Sequence, residues 1–365
     1  MTDLAEIQRK AIAGARNLLQ NCVELTTGQT LLLVEEDRNI DYFDNRTADI
    51  IAQEARDMGA TVLTLTTPRA DGPEDVPQAL TSAMQHVHHT VFLNRIGDQM
   101  RFKSLPGDGT KTMVYTLDMD TLASRAAGYD HNFMTRFVNL FNGVLDGKKH
   151  WHITCPAGTN VQGEMPAPKP VSNAGGGFAV RLFPMSVHKP IPANTMKGQI
   201  VLKRWVTGTN THAYSPEVHY LNSPITVHVE DGHAVAFEGD KTDVDAFRAH
   251  GKMVADQFGL DDSLIHSWHS GLNPGTGYFA SAKDDPVRWN GMIFGSPRHL
   301  HFHTCGDYPP GEINWHVIDP TVTFDGETFL ESGELTFFQN AAAQELLQWF
   351  GLMPESMKTH QNIGL

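Results

Sequence analysis

The chain has 365 residues, 40% of them hydrophobic, and a formal net charge of −14. This length allows one large domain or two ordinary ones, with a core that needs no disulfide bonds. The negative charge argues against nucleic acid and against an anionic membrane surface as partners.

Helices and strands alternate along the first 150 residues. Helical periodicity is present at 4–21, 44–58 and 75–86, and Asp44 or Asn45 is the expected cap of the second of these helices. Helices are also predicted over 119–147. Apolar runs predict strands at 30–36, 60–67, 90–95, 111–118 and 150–156. This order predicts a mostly parallel sheet covered on both faces, in an α/β domain spanning 1–150. Neither GxGxxG nor GxxxxGK[ST] occurs, so a nucleotide fold is not indicated.

The second half, 151–365, is richer in turns and predicted hairpins than the first half. It begins with a turn-rich segment at 158–177. Two hairpins are predicted, with turns at Asp231-Gly232 and Asp325-Gly326, because Asp-Gly between alternating runs favours a tight turn. Helices are expected at 242–258 and 339–350. This pattern predicts an α+β, sheet-rich domain.

The three cysteines are widely spaced and form no CxxC pair. Such spacing is typical of free thiols in a reducing compartment. The first twenty residues lack the apolar core of a secretory signal, and no apolar run is long enough to span a membrane. We therefore expect a cytoplasmic protein.

Histidines are concentrated in the sequence HLHFH at 299–303. In a strand, His299, His301 and His303 would point to one face, while Leu300 and Phe302 would point to the other. Three imidazoles on one face are not expected simply to pack a core, so the group is predicted to be functional. His301 or His303 is the candidate acid or base.

Two further segments carry candidate metal ligands. His266 and His269 precede a Gly-Leu-Asn-Pro-Gly turn, and His316 and Asp319 follow the histidine-rich strand. Two imidazoles and a carboxylate suit an open-sided Fe(II) site. Zinc would prefer a tetrahedral set, and the sequence supplies enough histidines for either metal.

Other candidate residues lie near these segments. His188, in an apolar stretch, and Glu164, in a loop, are candidate acids or bases. Trp268, Phe302 and Trp315 are candidates either for the walls of an aromatic pocket or for ordinary core.

Several motifs, in this order, resemble those of the thermophilic metallo-aminopeptidases, the aminopeptidase T group. The 2,5-dihydroxypyridine 5,6-dioxygenases are the most similar branch. The motifs extend over most of the chain: HITCPAGTNVQGE at 152–164, GQIVL at 198–202, VHVEDGHAVAFEG at 227–239, HSGLNPG at 269–275 and HFHTCGDY…NWHVID at 301–319. Asn160 stands where aspartate is usual, and both glutamates expected of a two-metal peptidase site are absent.

The resemblance implies an aminopeptidase T-like fold and one Fe(II) held by His266, His316 and Asp319, with His269 as the alternative to His266. It implies a dioxygenase that uses O₂ to cleave a hydroxylated N-heteroaromatic ring such as a dihydroxypyridine, in a homo-oligomer. The alternative is an aminopeptidase or amidohydrolase with Zn, Mn or Co. A third reading is a binding protein that has lost catalysis.

Overall fold

The structure is a computed structural model that describes residues 4–40, 42–69, 75–101, 103–167, 180–209 and 213–365. The turn-rich segment noted in the sequence lies partly outside these ranges. Within them, no helix has both the length and the apolar character needed to cross a membrane.

Each predicted helical region contains helix in the structure, whereas Ile96–Met100 and Pro286–Ile293 are helices that were not predicted. Leu4–Asn17 continues into a π-helical turn, Leu18–Val23, and two short 3₁₀ turns occur at Thr336–Gln339 and Pro354–Met357. The α-helices are α1 (Leu4–Asn17), α2 (Asn45–Asp57), α3 (Gln78–Met84), α4 (Ile96–Met100), α5 (Met119–Leu122), α6 (Arg125–Gly128), α7 (His131–Leu145), α8 (Lys241–Phe258), α9 (Pro286–Ile293) and α10 (Ala341–Trp349).

The strands of the described residues form three sheets. In chain order they are β1 (Thr30–Glu36), β2 (Thr61–Thr67), β3 (His89–Leu93), β4 (Thr110–Val114), β5 (His150–Thr154), β6 (Asn160–Glu164), β7 (Arg181–Phe183), β8 (Ile191–Pro192), β9 (Lys197–Leu202), β10 (Trp205–Thr207), β11 (Val218–Tyr220), β12 (Ile225–Glu230), β13 (His233–Glu238), β14 (Ile265–Ser270), β15 (His299–Cys305), β16 (Glu312–Ile318), β17 (Thr321–Phe324) and β18 (Glu327–Leu330).

Contacts divide the chain into two compact units. Unit 1 comprises Met1–Thr135, Asn173–Ser186 and Gly275–Phe279. Unit 2 comprises Arg136–Ser172, Val187–Pro274 and Ala280–Leu365.

Unit 1 is built on a five-stranded sheet in the order β2-β1-β3-β4-β7. All four pairings are parallel, so the predicted parallel sheet is confirmed. Every residue of β3 is buried, and β1 is buried from Leu31 onward, as expected where helices cover both faces. The side chain of Asp44 caps α2 by accepting a hydrogen bond from the backbone N–H of Arg46.

Unit 2 contains two sheets. One has six strands in the order β11-β10-β16-β15-β14-β8, and the other has seven in the order β13-β12-β9-β6-β5-β17-β18. Both predicted hairpins are confirmed, as β12–β13 and β17–β18. Asp231 and Gly232 have φ values of 47° and 76°, a left-handed conformation that suits an Asp-Gly turn.

Aromatic side chains join the two sheets of unit 2. The ring of Trp268, on β14, lies 5.2 Å from that of Trp151 and 6.2 Å from that of Phe324, both on the seven-stranded sheet. Trp268, Phe302 and Phe324 are fully buried. One face of the six-stranded sheet therefore packs in the apolar core, and its other face does not contribute to this contact.

Candidate metal centre on the six-stranded sheet

The second face of the six-stranded sheet is lined by buried polar side chains. Register sets this arrangement: His301 lies opposite His269 of β14 on one side and opposite His316 of β16 on the other. His303 is likewise opposite Ser267 and Asn314. Since alternate residues of a strand share a face, these side chains lie together.

The predicted alternation along HLHFH is confirmed. All seven residues of β15 are buried, the histidines on the polar face and Leu300 and Phe302 on the apolar one. Trp268, Phe302 and Trp315 pair with one another across β14, β15 and β16. They therefore lie buried on the face opposite the histidines, as expected of the second alternative, ordinary core.

Three histidines converge on the polar face. One ring nitrogen from each of His269, His301 and His303 lies within 4.8 Å of the others. The Nε2 atoms of His301 and His303 are 3.0 Å apart, and the ring centroids of His269 and His301 are 4.3 Å apart. Three imidazoles at this spacing can bind a single divalent ion and leave its remaining positions open.

Polar neighbours orient His303. Its Nδ1 lies 2.8 Å from Ser267 Oγ, which leaves Nε2 directed at the other histidines. The carboxylate of Glu312, only 3% exposed, has an oxygen 3.7 Å from that Nε2. A hydrogen bond to the far nitrogen is the usual way in which a ligating imidazole is held in place.

The three-histidine site suits a metal ion by its charge state as well. Burial, and then the neighbouring histidines, holds the pKa of His301 well below its ordinary value. His301 is therefore neutral at pH 7, which is the form that binds metals. Its Nδ1 is buried without a hydrogen-bond partner among the described residues, a cost that a bound group would offset.

A second pair of histidines continues the polar face. His299 Nε2 lies 3.0 Å from His316 Nδ1, and His316 Nε2 lies 3.1 Å from Thr207 Oγ1. The ring of Trp289 covers both imidazoles, at 5.3 and 5.2 Å between centroids. Burial lowers the pKa of His299 to about 3 and holds that of His316 well below its ordinary value, so this pair is neutral too.

His188 supports the strand that carries His269. Its Nδ1 donates to the carbonyl oxygen of Lys189 at 2.7 Å, and its Nε2 accepts from the backbone N–H of Ser270 at 3.1 Å. The ring stacks on Phe141 at 5.4 Å. With both nitrogens engaged, His188 is placed to position its neighbours.

The other sequence-predicted ligands lie apart from the trio. A register shift between Ile265 and Ser267 turns His266 aside, and its Nε2 bonds the carbonyl of Cys305 at 2.9 Å. Asp319 accepts from Arg298 Nε at 2.6 Å and Nη2 at 2.9 Å. Among the described residues, His266, His316 and Asp319 do not form a converging group. Glu164 is exposed at the end of β6, in the seven-stranded sheet.

Two solved structures are similar to this chain over most of its length. One is 2,5-dihydroxypyridine dioxygenase from Pseudomonas putida KT2440, at 14% identity and a TM-score of 0.56, covering 89% of this chain and 96% of that one. The other is wild-type AmpT from Thermus thermophilus, at 12% identity and a TM-score of 0.50, covering 90% and 99%. The chain has the aminopeptidase T-like fold. No family model and no curated protein matches the sequence.

Sequence reasoning missed three members of the polar face in this aminopeptidase T-like fold. They are Thr207, Ser267 and Glu312, which contact the histidines described above. A signal for two of them was present: Ser267 is two residues from His269, and Glu312 is four from His316, so each shares a strand face with a histidine.

Proposed function

We propose that this protein is a mononuclear non-haem Fe(II) dioxygenase that cleaves a hydroxylated aromatic ring, such as a dihydroxypyridine. The observation that carries the proposal is the convergence of His269, His301 and His303 on a buried sheet face. The fold, shared with the solved 2,5-dihydroxypyridine dioxygenase, supports the same choice. Bound Fe(II) would supply the redox chemistry that lets O₂ react with an electron-rich ring.

The chain's own residues have separate tasks in this proposal. His269, His301 and His303 hold the ion, and Ser267 keeps the ring of His303 in orientation. The buried Glu312 carboxylate, beside His303, accepts the proton of a ring hydroxyl as the substrate binds in its ionised form.

The remainder of the polar face provides substrate contacts. The side-chain oxygen of Asn314 is buried and has no hydrogen-bond partner among the described residues, although it lies opposite His303 in the sheet. It can accept from a ring N–H or hydroxyl of a heteroaromatic substrate. The neutral His299–His316 pair extends this polar surface and excludes bulk water.

The second candidate function is metal-dependent hydrolysis, as in an aminopeptidase or amidohydrolase. One observation favours it: the converging set consists of three imidazoles, a ligand set that zinc uses when a water molecule completes its coordination. In that case the site would take Zn, Mn or Co, and Glu312 would accept the proton of the attacking water.

Metal and oxygen dependence separate these two functions. Protein purified without oxygen should contain about one iron per chain and consume O₂ when a dihydroxypyridine is added. Zinc content with peptide or amide hydrolysis under argon would favour the hydrolase. Protein with neither metal nor turnover would favour a binding protein and contradict the proposal.

Substitutions identify the ligands independently of activity. His269→Ala, His301→Ala and His303→Ala should each lower bound metal by at least roughly tenfold, since few ligands can be spared. Asp319→Asn should retain the metal, because Arg298 already engages that carboxylate. Loss of metal in Asp319→Asn, with retention in His269→Ala, would instead support the triad His266, His316 and Asp319.

A further inference from the structure

The sheets of this protein differ in how their edges are protected. In the described part of the chain, five of the six edge strands are short or irregular. Strand β8 has two residues, one of them Pro192, while β7 and β11 have three each and β18 has four. Strand β13 is longer, but it pairs with β12 through a register shift. Short strands, prolines and bulges are the features that keep an edge from pairing with another chain.

Strand β2 is the exception. It is seven residues long, has the sequence TVLTLTT and pairs with β1 without a register shift. It contains no charge and no proline, and Leu63 is 46% exposed. A long, regular, uncharged edge of β-branched and apolar residues favours pairing with a further strand.

The unused hydrogen-bonding groups of β2 can be identified. Thr61 N–H donates to the Gln29 carbonyl at 2.9 Å, and the Thr67 carbonyl accepts from Asp37 N–H at 3.1 Å, so odd-numbered residues face β1. Backbone groups alternate along a strand. Val62, Thr64 and Thr66 therefore direct their N–H and C=O groups outward, where no described residue bonds them.

We propose that β2 is a homodimerisation edge. Two copies of the chain pair their β2 strands antiparallel about a two-fold axis at Thr64, which joins two five-stranded sheets into one continuous sheet. Val62 then pairs with the partner's Thr66, Thr64 with the partner's Thr64, and each pair exchanges two hydrogen bonds. This register uses all of the outward groups of β2.

The side chains identify the partner as a second copy. The sequence TVLTLTT is nearly symmetric about its central threonine. In the proposed register Leu63 lies beside the partner's Leu65, and Thr61 lies beside the partner's Thr67. Every cross-strand pair is apolar or hydroxyl-bearing, and no like charges meet, which is the pairing that stabilises antiparallel strands.

Sedimentation velocity of the full chain over a range of concentrations tests the proposal. The wild type should show a monomer–dimer equilibrium. Thr64→Pro removes an outward N–H but no bond to β1, so it should raise the dimer dissociation constant by at least roughly tenfold while the circular dichroism is unchanged. A monomeric wild type, or an assembly larger than a dimer, would overturn the proposal.

A charge variant with a matched control guards against misfolding of the proline variant. Thr64→Lys places two ammonium groups together at the two-fold axis and should give monomer. Val235→Lys introduces the same group on the edge strand β13, where Val235 is 52% exposed, and should leave the dimer intact. If both variants dimerise like the wild type, β2 is not the interface.

Cross-linking tests the register itself, in a Cys155→Ser background because Cys22 and Cys305 are buried. Thr64→Cys should form a disulfide-linked dimer on oxidation, since directly paired Cα atoms lie about 5.5 Å apart. Val62→Cys should not, because its symmetry mate is displaced along the strand. Equal cross-linking of the two variants would contradict the Thr64 axis.

Discussion

The two faces of the six-stranded sheet are equally buried but chemically opposite. Strand β15 sends Leu300 and Phe302 into the apolar core and sends His299, His301 and His303 to the other side. Desolvating apolar groups stabilises a fold, whereas desolvating imidazoles costs stability unless each finds a partner. The difference indicates that the apolar face contributes most of the packing that stabilises the sheet, whereas the polar face contributes little.

The largest effect should come from the apolar face. Phe302→Ala removes a fully buried ring and should lower the free energy of unfolding by about 3–5 kcal/mol. Urea denaturation of the metal-stripped protein measures this loss. His303→Ala, one residue away, should cost much less, and similar losses for the two variants would mean that both faces contribute equally to stability.

Acid should weaken the fold through the buried His188. Burial lowers the pKa of His188 from 6.5 to about 4, so between these values the unfolded chain binds more protons than the folded one. The free energy of unfolding should therefore fall as the pH drops below 6.5. The contribution of His188 to this loss should be on the order of 3 kcal/mol at pH 4. His188→Gln keeps an acceptor for Ser270 and should flatten the pH dependence; an unchanged slope would contradict this origin.

A smaller effect of opposite sign is expected at His301. In metal-free protein, His301→Leu replaces a buried imidazole whose Nδ1 has no partner in the described structure, and should stabilise the fold by about 1–2 kcal/mol. The same variant should lose metal binding. Thermal unfolding with and without added metal measures both results, and a destabilised metal-free variant would show that the imidazole serves the fold.

The smallest effect should come from a histidine outside the cluster. His86 is exposed, so His86→Ala should change the free energy of unfolding by less than about 0.5 kcal/mol and leave metal content unaltered. This variant is the reference for the three preceding experiments. A large change would place His86 in an unrecognised contact.

Local patterns in the sequence were sufficient for several elements of the fold. Strand β1 was predicted with its observed limits, and both Asp-Gly hairpins followed from turn chemistry. The alternation along β15 also followed from strand periodicity alone. By contrast, β7 joins the parallel sheet of unit 1 from a distant part of the sequence, and such long-range pairing leaves no local signal.

The candidate site shows the same limit. The choice between His266 and His269 depended on the register shift in β14, and Asp319 could be placed only once Arg298 was seen beside it. Neither feature has a sequence signature. The histidine-rich segments were recognisable as a candidate site, but which imidazoles meet was decided by pairing between strands.

The irregularity at His266 has an engineering consequence. The pairing between β14 and β15 resumes at Ser267, so His266 is the extra residue of a β-bulge. It can be deleted without changing the register of the residues that follow it in β14. Shortening the chain by one residue at this position should thus preserve the face that carries the three converging histidines. Excising a regularly paired neighbour such as Trp268 should invert the strand's inward and outward pattern and abolish that face.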